Sequence, residues 1–182
     1  GKSVFNGSSY LISISLPDTV EEIEEEAFYL CAELESIKLG SGLKRIGERA
    51  FAYCYKIKSI TLPDSLESIG EEAFDRCLEL SSITLGRNVS NIETGAFLRC
   101  TKLENIYVSE ENEYFSSIDG ILYDKKGEML VLYPPGRKDS ELTIPDGIKT
   151  IGKGCFSLHE YLRSIRIPES VSQIDESAFW GC

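Results

Sequence analysis

Ile14, Ile37, Ile60, Ile83 and Ile106 stand 23 residues apart, and Leu142 and Ile165 resume the series after one interval of 36 residues. Phenylalanine keeps the same step at Phe28, Phe51, Phe74 and Phe97, returns at Phe156 and Phe179, and leaves Phe5 at the front. A fixed period of 20 to 30 residues marks a solenoid, in which each unit buries its apolar face only against its neighbours. Such a chain does not close around one compact core.

Residues 60–82, ITLPDSLESIGEEAFDRCLELSS, show one unit with apolar residues at offsets 0, 2, 6, 9, 13, 14, 17 and 20 from Ile60. Alternation at Ile60 and Leu62 predicts a short half-buried strand. Pro17, Pro63, Pro145 and Pro168 follow that strand, and a residue without an N–H ends it. Ser-Leu-Glu-Ser-Ile-Gly predicts a second extended piece. Glu-Glu-Ala-Phe-Asp-Arg-Cys predicts one short helical turn, led by acids where a helix N-terminus favours negative charge. The small Ala27, Ala50, Ala73, Ala96 and Ala178 are expected to let neighbouring turns approach closely. One unit cannot stand alone, because ordering 23 residues costs more than its few apolar side chains return on burial.

The run Leu-x-x-Ile-x-Leu-Pro-x-x-Leu-x-x-Ile-Gly-x-x-Ala-Phe-x-x-Cys resembles the BspA-like, or Treponema-type, leucine-rich repeat family. Its distinctive part is read at Ala27-Phe28/Cys31, Ala50-Phe51/Cys54, Ala73-Phe74/Cys77, Ala96-Phe97/Cys100 and Ala178-Phe179/Cys182. The unit from Leu142 departs from it, with Cys155 in the Ala column and His159 in the Cys column. Together the period and the resemblance predict an α/β leucine-rich repeat solenoid, right-handed, with short parallel strands on a concave face. Helical turns and extended segments would form the other faces. Residues 1–182 would form one domain: a partial unit 1–13, units from 14, 37, 60 and 83, a long unit 106–141, and units from 142 and 165, the last incomplete. Both ends stop mid-unit, so an excised fragment or a mature piece of a longer chain is expected.

The long unit predicts a β-hairpin insertion. Ile121-Leu122-Tyr123 and Met129 to Tyr133 flank Asp-Lys-Lys-Gly-Glu, whose glycine can adopt a positive φ. Its Asn-x-x-Tyr/Phe-x-Ser-x-Asp-Gly-Ile-Leu-Tyr stretch resembles an interruption common in the same family. Proteins of that family are secreted or surface-displayed and associated with adhesion to host proteins, which the resemblance extends to this chain as an expectation.

Net charge is −11, which argues against a phosphate-backbone partner, since nucleic acids select clustered Lys and Arg. No apolar run reaches the ~18 residues of a membrane span. Of the six cysteines, Cys31, Cys54, Cys77 and Cys100 share one column and should stack one per coil. Parallel side chains hold their Cβ atoms near the strand spacing, beyond the ~3.8 Å of a disulfide, so buried thiols are expected.

Catalytic and metal chemistry find little footing. His159 is the only histidine, and no close Cys pair of the kind zinc sites use is present. No nucleophile motif surrounds that histidine. Gly1-Lys2-Ser3 lacks the rest of a P-loop. The repeated Glu pairs lie on a rim rather than converging on a pocket, as glycosidase carboxylates must. Asn6-Gly-Ser8 and Asn88-Val-Ser90 fit a glycosylation pattern that matters only in a eukaryotic source. No catalytic residue, metal site or cofactor is expected.

Binding candidates come from two places. Side chains leaving the first strand outward are mostly Ser and Thr, and the larger groups among and beside them are Lys38, Lys58, Tyr107, Arg163 and Arg166. Tyr and Arg dominate many interfaces. Tyr123 and Tyr133 of the hairpin form a secondary candidate surface, or else cover the core where the Ala-Phe turn is missing. The expected function is a non-catalytic, secreted or cell-surface adhesion module that binds a protein ligand, such as a host extracellular protein. A carbohydrate-binding accessory domain and a structural spacer of a larger secreted protein are the alternatives.

Overall fold

The computed structural model describes residues 1–182. Each unit lays down two short strands, beginning with β1 (Ser13–Ser15) and β2 (Glu22–Ile23). The pair repeats as β3 (Ser36–Lys38) and β4 (Arg45–Ile46), β5 (Ser59–Thr61) and β6 (Ser68–Ile69), and β7 (Ser82–Leu85) and β8 (Asn91–Ile92). The long unit holds β9 (Asn105–Val108), β10 (Phe115–Ile118), β11 (Ile121–Asp124) and β12 (Met129–Leu132). Then β13 (Glu141–Thr143), β14 (Thr150–Ile151), β15 (Ser164–Arg166) and β16 (Gln173–Ile174) restore the pattern.

Stacking follows the sequence period. Ile14 lies opposite Ile37, and Ile60, Ile83 and Ile106 align in parallel register. A second column aligns Ile23, Ile46, Ile69 and Ile92. Within β5 only Ile60 is buried, between exposed Ser59 and Thr61, as strand alternation requires.

The first column is not one continuous sheet. It forms three pieces, β1–β3, β5–β7–β9 and β13–β15. The insertion accounts for the second break. The Ile106 N–H donates to the Gly120 carbonyl at 3.0 Å, and Ser117 Oγ donates to the Ile106 carbonyl at 2.5 Å. Both bonds turn β9 toward the insertion and away from β13. The expected hairpin is present as antiparallel β11 and β12, with Gly127 at φ +69° in its loop. Asp124 Oδ1 closes that loop by accepting from the Glu128 and Met129 N–H groups at 2.8 and 2.7 Å. A third strand, β10, pairs with β11, and β12 joins β14 in parallel. The insertion is therefore a three-stranded meander whose last strand re-enters the second column.

The predicted helical turns do not form, and the chain contains no helix. A helix sends every N–H to a carbonyl four residues back in the same segment. Here the donors alternate instead. The Ala27, Tyr29 and Cys31 N–H groups bond three residues back, to Glu24, Glu26 and Phe28. Those of Glu26, Phe28 and Leu30 donate to Glu48, Ala50 and Ala52 of the following coil at 2.9, 2.8 and 3.0 Å. Positive φ at Glu26 (54°) and Leu30 (58°), repeated at Arg49, Tyr53, Glu72 and Arg76, breaks the helical path and aims these donors forward. The acids at Glu25, Glu26, Glu71 and Glu72 therefore head turns, not helices.

Phe5, Phe28, Phe51, Phe74 and Phe97 stack with ring centroids 5.0, 5.2, 5.3 and 5.5 Å apart. Such contacts add about 0.5–1.5 kcal/mol each beyond area burial. The column then stops, and a second stack runs from Tyr133 through Phe156 to Phe179 at 5.1 and 5.0 Å. The core divides at the same place, with one cluster reaching from Ile23 to Leu122 and another from Ile121 to Ala178.

Asn112 anchors the start of the insertion. Its amide nitrogen donates to the Gly86 and Val89 carbonyls at 2.8 and 2.9 Å, while its oxygen accepts from the Tyr114 and Phe115 N–H groups at 2.8 and 2.7 Å. Asn112→Ala leaves those buried groups unpaired and should cost about 2–4 kcal/mol in urea unfolding. Exposed Glu113→Ala should stay within about 0.5 kcal/mol of wild type. Equal effects would remove the anchoring role.

Candidate interaction surface

Outward side chains of the first strand column form a polar strip of Ser and Thr carrying the five large candidates. Lys38 on β3 lies opposite Ser15, Tyr107 on β9 opposite Thr84, and Arg166 on β15 opposite Thr143. Lys58 and Arg163 precede β5 and β15. All five are exposed, Tyr107 to 52%. They do not converge into one patch. Lys38 and Lys58 occupy neighbouring coils, Arg163 and Arg166 share the last coil, and the insertion separates Tyr107 from that pair.

Of the fifteen cations away from this strip, ten pair with acids, most of them one coil away. Lys44 bonds Glu21, Arg49 bonds Glu72, Arg87 bonds Asp64 and Lys102 bonds Glu79, at 3.1, 2.7, 2.8 and 2.8 Å. Arg45 pairs with Glu22 in the same manner. Each pair joins residues 23 apart, so the repeat places opposite charges directly over one another. These pairs are solvent-exposed, so water and salt screen them and they add little to stability. Their main consequence is to neutralise those cations in place. Lys38, Lys58, Arg163 and Arg166 take part in no ion pair of 4 Å or less.

Tyr123 and Tyr133 require a correction. They are 4% and 1% exposed and belong to the second core cluster. Tyr133 takes the place of the missing Phe beneath Phe156, and its hydroxyl donates to Asp139 Oδ2 at 2.5 Å. Arg137 holds the same carboxylate at 2.7 Å and lies over the Tyr133 ring. Neither tyrosine offers a surface to a ligand. Burial and the bond to Asp139 push the Tyr133 hydroxyl well above the usual tyrosine range.

A cluster on the turn edge escaped the column reading. Arg76 lies 5.4 Å over the Tyr53 ring, Tyr53 meets Tyr29 edge-on at 5.3 Å, and Tyr55 follows at 6.1 Å. Asp75, 2% exposed, accepts two contacts from Arg99 at 3.0 and 3.1 Å. Burial raises its carboxyl above the ordinary value while the Arg99 guanidinium opposes that rise. Tyr53, Arg76 and Arg99 stand in one column and Tyr29 and Asp75 in the one before it, but the residue type changes from unit to unit, so no repeated motif displays them.

All six thiols are free. Cys31, Cys54, Cys77 and Cys100 donate to the carbonyls of Phe5, Phe28, Phe51 and Phe74 at 3.2, 3.2, 3.3 and 3.0 Å. Burial pushes the Cys77 and Cys155 thiols up, which keeps them protonated and unreactive. His159 fills the same column at 2% exposure, with Nδ1 accepting from the Leu162 N–H at 3.1 Å. No three His, Cys, Asp or Glu side chains gather as metal ligands.

The profile of the BspA type leucine-rich repeat region matches six copies over residues 1–118 and 137–182. The chain belongs to the BspA-type leucine-rich repeat family. The span this BspA-type profile omits, residues 119–136, holds most of the meander. No curated protein matches the chain. Among solved structures, a leucine-rich repeat protein from Eubacterium ventriosum is 24% identical, covering 93% of this chain and 51% of its own, with a TM-score of 0.77. The pneumococcal vaccine antigen PcpA is 27% identical over 92% of this chain and 48% of its own, with a TM-score of 0.70. The T. pallidum leucine-rich repeat protein is 29% identical over 100% of this chain and 68% of its own, at 0.62. This chain thus spans about half the length of the first two.

Two measurements follow from the burial of Tyr123 and His159. Tyr123→Ala should lower the melting temperature, because it opens a cavity worth about 3–5 kcal/mol; an unchanged Tm would return Tyr123 to the surface. Burial depresses the His159 pKa, so the folded state binds this proton less readily than the unfolded chain, where His titrates near ~6.5. The contribution of His159 is fully present above that value and is lost as pH falls below it. The urea midpoint should therefore drop more between pH 7.5 and pH 5 in the wild type than in His159→Cys. Parallel curves would contradict this.

Proposed function

We propose that this chain is a non-catalytic interaction module of a secreted or surface-displayed protein, and that its strand face docks an acidic protein ligand. The carrying observation is the contrast in charge pairing. On a chain of net charge −11, ten of the other fifteen cations are committed to acids, whereas Lys38, Lys58, Arg163 and Arg166 are exposed and all four are free to pair with a partner. Tyr107 adds one exposed aromatic between the two cationic ends.

The same face supports a protein ligand over a glycan. Sugar platforms use exposed aromatic faces, and Tyr107 stands alone among Ser and Thr here. Likeness to the pneumococcal vaccine antigen PcpA, together with family membership, supports display outside the cell. No helix is long and apolar enough to cross a membrane.

A panel of purified extracellular proteins tests the reading by surface plasmon resonance. Acidic members should bind with an affinity that weakens as salt rises through the screening range. Replacing Lys38, Lys58, Arg163 and Arg166 together with Ala should weaken that binding about tenfold or more while the melting temperature holds. Undiminished binding by the fourfold variant, or binding confined to glycans, would overturn the proposal.

A further inference from the structure

The turn edge of the coils from Ile14, Ile37 and Ile60 carries a group of side chains remote from the strand face. Tyr29 meets Tyr53 at 5.3 Å with ring planes 62° apart, and Tyr53 meets Tyr55 at 6.1 Å and 76°. Arg76 of the next coil lies 5.4 Å over the Tyr53 ring. Leu30 and Leu78 extend the columns of Tyr53 and Tyr55 by one coil at either end, 38% and 36% exposed. The three tyrosines are half-buried. Rings set at such angles bound V-shaped apolar clefts, not one flat platform.

Unsatisfied donors collect around these rings. Glu72 is committed to Arg49 and Asp75 to Arg99, while Arg76 takes part in no ion pair of 4 Å or less. Its Nε is buried without an acceptor. The hydroxyls of Tyr29, Tyr53 and Tyr55 meet no partner in the chain, unlike that of Tyr133, which is bound to Asp139. The site therefore offers donors on an apolar bed, with its nearby carboxylates already spent. A matching ligand supplies acceptors and apolar rings and asks for no acceptor in return. A free acid would bring its charge up to Glu26 and Asp75, which face Tyr29. A sugar needs acceptors for its own hydroxyls and a flat ring face to lie on.

We propose that this turn edge binds a proline-rich segment of a partner protein in the polyproline II conformation, with prolines between the tyrosine rings and carbonyls bonded by the tyrosine hydroxyls and Arg76. Proline brings no N–H of its own, and a polyproline II helix leaves its carbonyls without internal partners. Aromatic-lined grooves take such segments because they are already extended and lose little entropy on binding. The spacing agrees. Rings of Phe28, Phe51 and Phe74 in the same coils step by 5.2 and 5.3 Å, so two coils cover about one polyproline II turn of three residues at ~3.1 Å each. The segment runs along the stack and repeats its contacts at every third residue. This site is separate from the strand face, so either stands if the other fails.

The probe is a decaproline peptide, with a Gly-Ser peptide of equal length as its control. Backbone amide spectra of the intact protein should show saturable shifts at Tyr29, Leu30, Tyr53, Tyr55 and Arg76 with decaproline and none with the control. Arg76→Leu and Tyr55→Thr install residues that the same columns carry at Leu30 and Thr101, so both should fold and keep the wild-type melting temperature. Each should weaken binding about tenfold, the first by losing a charged donor and the second by losing a ring. No shifts at millimolar decaproline, shifts confined to Tyr107, Tyr161 or Trp180, or undiminished binding by a folded variant would each overturn the proposal. Tighter binding of an octaglutamate peptide at the same amides would assign Arg76 to an acidic ligand and overturn it likewise.

Discussion

In each turn the phenylalanine N–H leaves its own coil and donates to the alanine carbonyl of the following one, at 2.7 or 2.8 Å wherever both residues recur. The rest of the stack depends on that bond. It fixes the turn in a path that no helix can follow, because the residue two before and the residue two after are drawn forward with it. It sets the ring spacing of the phenylalanine column, and alanine at the acceptor position keeps the approach close. The Cys thiols then close the layer by donating back to the phenylalanine carbonyls of the preceding coil. Each coil is thus bound to both neighbours through main-chain groups, as expected where stability is shared along the array.

Where that bond is missing, the molecule changes character. The insertion replaces one Ala-Phe turn with a meander, the aromatic column divides, and the core separates into two clusters. Tyr133 restarts the column beneath Phe156, but the level between Phe97 and Tyr133 keeps unpaired main-chain groups. Charge follows the opposite course. Pairs such as Lys44–Glu21 and Lys102–Glu79 run along the stack, while the strand face keeps its cations free. Two kinds of unsatisfied group, charged on the strand face and main-chain at Gly95, Phe97 and Arg99, therefore lie in different parts of one scaffold.

Much of this was legible in the residues. Register followed directly from Ile14, Ile37 and Ile60, and the hairpin from Gly127 between two apolar runs. Helical turns were wrongly expected because Glu-Glu-Ala-Phe has good helix formers, and nothing in their identity reveals that Glu26 and Leu30 adopt positive φ. The breaks in the first strand column were hidden for a similar reason: the pairing of Ile106 with Gly120 is invisible to a column count. Tyr123 and Tyr133 were left between surface and core because aromatic residues in a hairpin suit either face, and the structure places both in the core. The exposure of Lys38, Tyr107 and Arg166 was legible because outward positions alternate with the buried isoleucines. The Tyr29, Tyr53, Arg76 group was missed because its column changes residue type from Leu30 to Tyr53 to Arg76 and so shows no repeated motif.

Native-state hydrogen exchange of the individual phenylalanine amides bears most directly on this account. Phe28, Phe51 and Phe74 should be protected to a similar high level, and Phe97 should exchange at least ~100-fold faster despite its buried ring, since its N–H reaches no carbonyl in the chain. Equal protection of Phe97 and Phe74, or rapid exchange at Phe51, would contradict it.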